Sequence, residues 1–431
     1  MDDTKPNQEA AEPPKKKNAI RRFFSILGPG VITGAADDDP SGIATYSVSG
    51  AQLGTAMLWM SLLTWPLMAA VQTMCARIGM VTGEGLAGAL RKKFPRPLIL
   101  MASFALLIAN TINIGADLSG MADAGAMMTG VDSHILVVVF GVVIAFCTVY
   151  FRYYQIANTL KWLALALVAY IVTGFIVKPD WSAVAHDTFV PSIPWNKAGI
   201  QTIVAILGTT ISPYLFFWQA SQEVEEEKAK GRRMLIEREG ATRQEFKHRQ
   251  IDIGIGTFFT NIVMFFITLT TAMTLHRAGI TEINSSREAA EALRPLAGPL
   301  AYTLYTFGIL GVGFLAIPTL SGSAAYAFAE TFKWPQGLDE KLGHARAFYA
   351  VVVLSTVVGI ALDFADVNPI RALYLTAVVN GFLAPFLLVG ALVVACDPVI
   401  MKGQCSSKLG RTVVAATAAI MFTALIALFV V

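Results

Sequence analysis

The sequence predicts an all-α membrane protein of about eleven transmembrane helices, and three observations carry that prediction. Only 15% of the 431 residues are charged and 55% are hydrophobic, whereas soluble domains carry roughly a quarter of charged residues; mean hydropathy is +0.58. The apolar residues run in long blocks rather than one-sided stripes, and about 20 of them suffice to cross a bilayer. Two blocks are interrupted by a glycine, a polar stretch and a proline. Blocks rich in Ala, Leu and Val exclude a membrane β-barrel, whose spans are alternating segments of about ten residues.

The blocks lie at approximately 27–54, 56–79, 98–129, 134–151, 156–177, 198–225, 250–275, 298–330, 346–363, 369–394 and 411–430. Residues 1–22 are polar and end in Lys15, Lys16, Lys17, Arg21 and Arg22, without the apolar core and cleavage site of a secretory signal. They read as a disordered cytoplasmic tail. Residues 23–178 and 198–395 form two five-helix repeats, the second containing a charged cytoplasmic loop at 222–249, and 396–431 supply a cytoplasmic loop and helix 11. Basic residues resist translocation, and they collect at Arg91, Lys92, Lys93 and Arg96, between Lys228 and Arg249, and at Lys402, Lys408 and Arg411. The N-terminus is therefore placed in the cytoplasm and the C-terminus outside, in a bacterial cytoplasmic membrane. Cys75, Cys147, Cys396 and Cys405 have no metal-ligand spacing and read as structural thiols.

The first span reads GPGVITGAADDDPSGIATYSVSGAQLG and the sixth IVAILGTTISPYLFFWQASQEVEE. Proline removes a backbone donor and crowds the preceding turn, so each helix opens. Unwound backbone survives in a bilayer only where it lines a cavity or binds something. Matched breaks in two halves point to a midplane site in a 5+5 inverted repeat with helices 1 and 6 interrupted.

Asp37, Asp38 and Asp39 sit at the first break, where a carboxylate costs at least roughly 2.5 kcal/mol. No basic residue occupies the matching block, so a bound cation and water are the expected compensation. Hard cations take carboxylate, carbonyl and hydroxyl oxygens, and the sixth-span break offers Thr209, Thr210, Ser212 and freed carbonyls. An intramembrane aspartyl protease would need two facing aspartates, for which Asp39 and Asp117 could be offered, but the GADL around Asp117 lacks the Gly-x-Gly-Asp pattern of those proteases. No enzyme activity is expected.

The stretches DDDPSGIATYSVSGAQLGTAMLW, ARIGMVTGEGLAGALRKKFP, TTISPYLFFWQ and LYLTAVVNGFLAPF resemble the Nramp family of divalent-metal transporters, which implies a LeuT-type fold over most of the chain. Where that family carries Asp-Pro-Gly-Asn, this chain has Asp39, Pro40, Ser41 and Gly42; where it carries Met-Pro-His, this chain has Ser212, Pro213 and Tyr214. The resemblance makes Asp39 the principal metal ligand and Asp38 a neighbouring or water-mediated one, with Gly42, Thr209, Ser212 and Asn380 completing the metal set. Asp37, Ser41, Thr210, Tyr214, Asp117 and Ala377 would line the cavity. Loss of the thioether shifts preference toward hard ions. Mg²⁺ keeps its waters and suits the roomier cavity that Gly42 and Ala377 leave, as in the Nramp-related magnesium transporters. The family's relay histidine is Tyr214 here, and its third-span Asp-Leu-Ala-Glu is Asp117, Leu118, Ser119, Gly120. These features imply uptake of Mg²⁺ chiefly, and Mn²⁺, by alternating access without proton coupling. The alternative is a proton-coupled Mn²⁺/Fe²⁺ symporter. The partners expected are divalent metal ions and the lipid bilayer, with no cofactor, nucleic acid or obligate protein partner.

Overall fold

Backbone N–H and C=O groups inside a bilayer have no water to bond, so apolar blocks this long must become helices. The computed structural model of the chain describes residues 38–151, 165–232, 234–365 and 367–431, and the regular elements among them are all helical. Helix α1 (Pro40–Leu53) passes through a single 3-10 turn (Gly54–Met57) into α2 (Leu58–Thr82). Next come α3 (Leu86–Arg91), α4 (Arg96–Thr129), α5 (Ser133–Tyr150), α6 (Val168–Ile176) and α7 (Trp181–Phe189). The second half comprises α8 (Lys197–Thr210), α9 (Pro213–Ala229), α10 (Arg243–Thr274), α11 (Ala301–Phe332), α12 (Arg346–Asp363), α13 (Pro369–Cys396) and α14 (Lys408–Val430).

Among the described residues, nine helical stretches are long and apolar enough to cross a bilayer. One of them, Pro40–Thr82, takes in the second half of the first expected span and all of the second. Asp37, the earlier part of the first span and residues 152–164, which include the start of the fifth, lie outside the described residues, and the expected count of eleven goes beyond these helices.

The charged stretch 222–249, expected as a cytoplasmic loop with a short helix, is more extensively helical: α9 continues to Ala229 and α10 begins at Arg243. The connection between them includes the short turn Leu235–Arg238. Charge pairing explains the difference. The Arg249 guanidinium donates to Glu223 at 2.9 Å, to Asp252 at 2.8 Å and to Glu226, so the acidic run docks α9 onto α10 instead of facing solvent. A capping box between Thr242 and Glu245 starts α10.

Helix direction alternates, and hydrogen bonds between connections identify the two ends. At the basic end, Gly240 N–H donates to the Val81 carbonyl at 2.9 Å, Lys93 reaches Asp397 at 2.6 Å and Gly88 N–H reaches Glu330 at 3.0 Å. At the opposite end, Thr55 bonds Asp187 at 2.5 Å, Trp59 bonds the Ser192 carbonyl at 3.1 Å and Asn368 bonds the Asn284 carbonyl at 2.7 Å. The midsections carry small residues where backbones cross. A Cβ on Gly208 of α8 would overlap the Ala377 carbonyl oxygen and the Gly381 nitrogen of α13, and one on Gly381 would overlap the Val204 carbonyl. Glycines on both sides therefore let α8 and α13 touch backbone to backbone. In contrast, a Cβ on Gly254 of α10 meets nothing within 4 Å.

Gly208→Val is expected to lose most of the folded yield, since the new branch meets backbone. Gly254→Ala is expected to hold or raise stability, by up to about 1 kcal/mol from helix propensity. Thermal unfolding of both purified variants in detergent checks this, and a Gly208→Val protein that melts with the wild type refutes the close crossing.

Candidate metal site

Pro40 occupies the first position of α1, where its missing N–H costs nothing, and Asp39 is the cap residue in extended conformation. One Asp39 carboxylate oxygen accepts the Gly42 N–H at 2.6 Å, as a capping aspartate does. The other accepts the Asn113 side-chain amide of α4 at 3.0 Å. Asp39 is 2% exposed. It thus sits deep in the protein with two neutral donors, at the positive end of a helix dipole. Asp38 is buried beside it, with one carboxylate oxygen lacking a partner among the described residues.

The second break falls at Ile211 and Ser212, between α8 and α9. The Ser212 hydroxyl donates to the carbonyls of Gly208 at 2.9 Å and Thr209 at 2.6 Å, and the Thr210 hydroxyl donates to the Ile206 carbonyl at 2.7 Å. Two carbonyls that the break was expected to free are therefore already capped by serine. The Thr209 hydroxyl is buried with no partner among the described residues. Asn380 on α13 is equally buried, and its side-chain oxygen also lacks one. The contact of Gly208 with Ala377 and Gly381 sets the α13 turn that carries Asn380 beside the end of α8.

Helix α1 packs on α4, α8 and α13, so the described candidates belong to one group of touching helices: Asp38, Asp39, Ser41 and Gly42 with Asp117, then Thr209, Thr210, Ser212 and Tyr214, then Ala377 and Asn380. Asp37 lies outside the described residues. Gly42 contributes its backbone N–H. Ser41 and Tyr214 are buried, as is the side chain of Ala377. Both oxygens of Asp117 are buried without a hydrogen-bond partner among the described residues, within electrostatic range of Asp39. Among the described residues no three His, Cys, Asp or Glu side chains gather into a metal-binding group, so a cation here must take neutral oxygens alongside Asp39.

Two residues were not picked out by sequence. Asn113 reads there as an interhelical tie, as Asn110 is: Asn110 bonds the Leu320 carbonyl at 2.8 Å and Ser323 at 2.9 Å. Its position one turn before Asp117 was the available signal. Gln72 of α2 is 2% exposed, neither of its amide atoms has a partner among the described residues, and it faces Thr210 and Ser212 across a tight crevice. A lone amide in the apolar middle of a span was the signal for it.

A membrane bundle in which helices start and stop at mid-depth around a buried carboxylate is a transporter-type architecture, and the fold here is of the LeuT type. More narrowly, the chain belongs to the Nramp family: the family model described as natural resistance-associated macrophage protein-like matches residues 30–431. The divalent metal cation transporter MntH of Caldanaerobacter subterraneus subsp. tengcongensis is 26% identical over 401 residues, 91% of this chain and 89% of that protein. The crystal structure of the Eremococcus coleocola manganese transporter, in complex with an aromatic bis-isothiourea substituted compound, superposes with a TM-score of 0.75 at 15% identity, covering 96% of this chain and 87% of that one. MhsT in complex with L-phenylalanine shares the fold at a TM-score of 0.56 and 14% identity, over 93% of this chain and 97% of that one.

Removing the Asn113 amide frees the Asp39 carboxylate to rotate and strips one donor from it. Asn113→Leu is expected to weaken divalent-metal binding about tenfold, the usual cost of losing a partner that orients a metal ligand. Isothermal titration calorimetry on detergent-solubilised protein checks this, with Asp39→Asn as the variant that removes binding.

Proposed function

We propose that this chain carries divalent metal cations across the membrane by alternating access, with Mg²⁺ as the chief cargo, Mn²⁺ also accepted, and no proton coupling. The observation that carries the reading is Asp39, a deeply buried carboxylate held by two neutral donors with no basic side chain bonded to it among the described residues. A cation is the partner such a group lacks. The family and its MntH relatives support divalent metal transport in general. The preference for Mg²⁺ rests on the donor types: serine at the second break, an unpartnered threonine hydroxyl and an unpartnered asparagine oxygen, with no sulfur among the candidates. Hard oxygens favour a hard ion. Two charges moving down about 100 mV release roughly 4.6 kcal/mol, enough for about three decades of accumulation without a proton.

The basic end is taken as cytoplasmic, following the positive-inside rule. At the other end a cavity of about 390 Å³ lies between α1, α8, the 281–284 loop and α13, with Gln52, Gln201, Glu282 and Arg371 in its wall. In this reading it is the external vestibule above the site, floored by the 3.0 Å Thr202–Tyr374 hydrogen bond. The side chains at the basic end close the other exit: Glu330 of α11 takes Gly88 N–H of α3 and the Ser221 hydroxyl of α9, each at 3.0 Å.

A proton-coupled Mn²⁺/Fe²⁺ symporter is the second reading, and one observation favours it. Ser119, two residues from Asp117 on α4, donates to Asp363 of α12, whose other oxygen is 2.7 Å from His134 Nδ1 at the opposite end. In this second reading those titratable groups on α12 and α5 would take up protons at the external end.

Proteoliposomes with Mg²⁺-, Mn²⁺- and pH-sensitive dyes loaded separately decide between the two. The expected result is Mg²⁺ entry that grows with an inside-negative potential, leaves lumenal pH unchanged and drops to background in Asp39→Ala. Lumenal acidification that follows the metal selects the second reading, and Mn²⁺ entry with Mg²⁺ excluded defeats the proposed selectivity.

A further inference from the structure

Away from the metal site, a groove of about 450 Å³ opens between α2, α10 and the start of α14. Its wall on α2 is one stripe of the helix, Pro66, Ala70, Thr73 and Arg77, recurring at helical spacing. From Trp65 to Arg77 the stripe is about 18 Å long at 1.5 Å per residue, slightly more than half of a roughly 30 Å hydrocarbon core. The groove therefore has the length of one acyl chain within one leaflet.

Its two ends differ in chemistry. Toward mid-membrane lie Trp65, Pro66 and Ala69, with the Trp65 ring 5.1 Å from that of Phe258. Toward the basic end lie Arg77, Gln250, Ser406 and Ser407. Arg77 stacks over the Phe246 ring at 3.8 Å, which holds its guanidinium at that end. Among the described residues it is the only charged side chain in the wall, and none of those lining it is Asp or Glu. Ser406 is 6% exposed and lines the groove, yet its hydroxyl has no partner among the described residues. The same end receives the N-terminus of α14, a helix of 23 residues whose Ser407 cap accepts Gly410 N–H at 3.1 Å, so the positive end of its dipole faces the groove. Lys247 lies three residues before Gln250 and seven before Gly254, on the same face of α10.

We propose that this groove holds one anionic phospholipid, its phosphate seated against Arg77, the Ser406 hydroxyl and the N-terminus of α14, and one acyl chain laid along α2 to Trp65. A cation, an unfilled buried hydroxyl and a helix N-terminus converge on one spot with no acid to oppose them. That favours a net negative headgroup over a zwitterionic one, which brings its own cation. The apolar lower half accounts for the lipid rather than a free phosphate.

The test uses full-length protein in bilayers with a few mole per cent of brominated-chain lipid, either phosphatidylglycerol or phosphatidylcholine. The Trp65 signal is the difference between wild type and Trp65→Phe. Phosphatidylglycerol is expected to quench Trp65 with about fivefold higher apparent affinity, the ratio that one basic residue near an anionic lipid confers. Arg77→Gln is expected to abolish that preference. Gly254→Phe, which projects into open space in the groove, is expected to remove quenching by either lipid at an unchanged melting temperature. Equal quenching by the two lipids in the wild type, as for a neutral occupant, overturns the proposal. So does a Trp65 shielded from both, as under a second copy of the chain, or a preference that survives Gly254→Phe.

Discussion

A carboxylate taken out of water needs hydrogen-bond donors or a positive partner, and Asp39 receives two donors that carry no charge: the Gly42 amide and the Asn113 side chain. The rest of the centre can be understood as supplying what those two leave undone. Proline at the head of α1 puts the aspartate at a helix start. The glycine crossing of α8 and α13 sets Thr209 and Asn380 on helices that pack against α1, each with an oxygen that has no partner among the described residues. Such groups are costly to bury unpaired, which is the physical ground for counting them among the candidates for a bound cation.

The periphery of the bundle follows a different rule. At the basic end nearly every buried acid is matched, Glu223 and Asp252 with Arg249, and Glu330 with backbone and hydroxyl donors. Breaking a matched buried pair leaves an uncompensated charge and typically costs about 3–5 kcal/mol. The contrast between satisfied acids there and unsatisfied ones at mid-depth separates groups that hold the helices together from the candidates for binding a ligand.

The helical class was legible in block length alone, because a bilayer permits little else. The helix start at Pro40 and the break between α8 and α9 were legible for the same reason that they exist: a proline beside polar residues has few other places in an apolar span. What sequence could not supply was direction. Ser212 looks like a ligand on paper, but its proton goes back to the carbonyls of its own helix, as short hydroxyl side chains near a helix end tend to do. Asn113 and Asn110 look alike on paper, and only the rotation of α4 decides that one meets Asp39 and the other α11. Charge in the 222–249 stretch read as solvated because composition carries no partner information, and Arg249 turned it inward.

The turn between α1 and α2 is four residues long and tightly pinned: Thr55 holds Asp187, Trp59 holds the Ser192 carbonyl, and His276 Nδ1 lies 2.8 Å from the Ala51 carbonyl. With no slack there, α1 cannot tilt without dragging α2 and the 181–192 segment along. At its other end α1 is tied to α4 through the Asp39 carboxylate and the Asn113 amide, so a cation taken up there would add a second tie at the point where the helix starts.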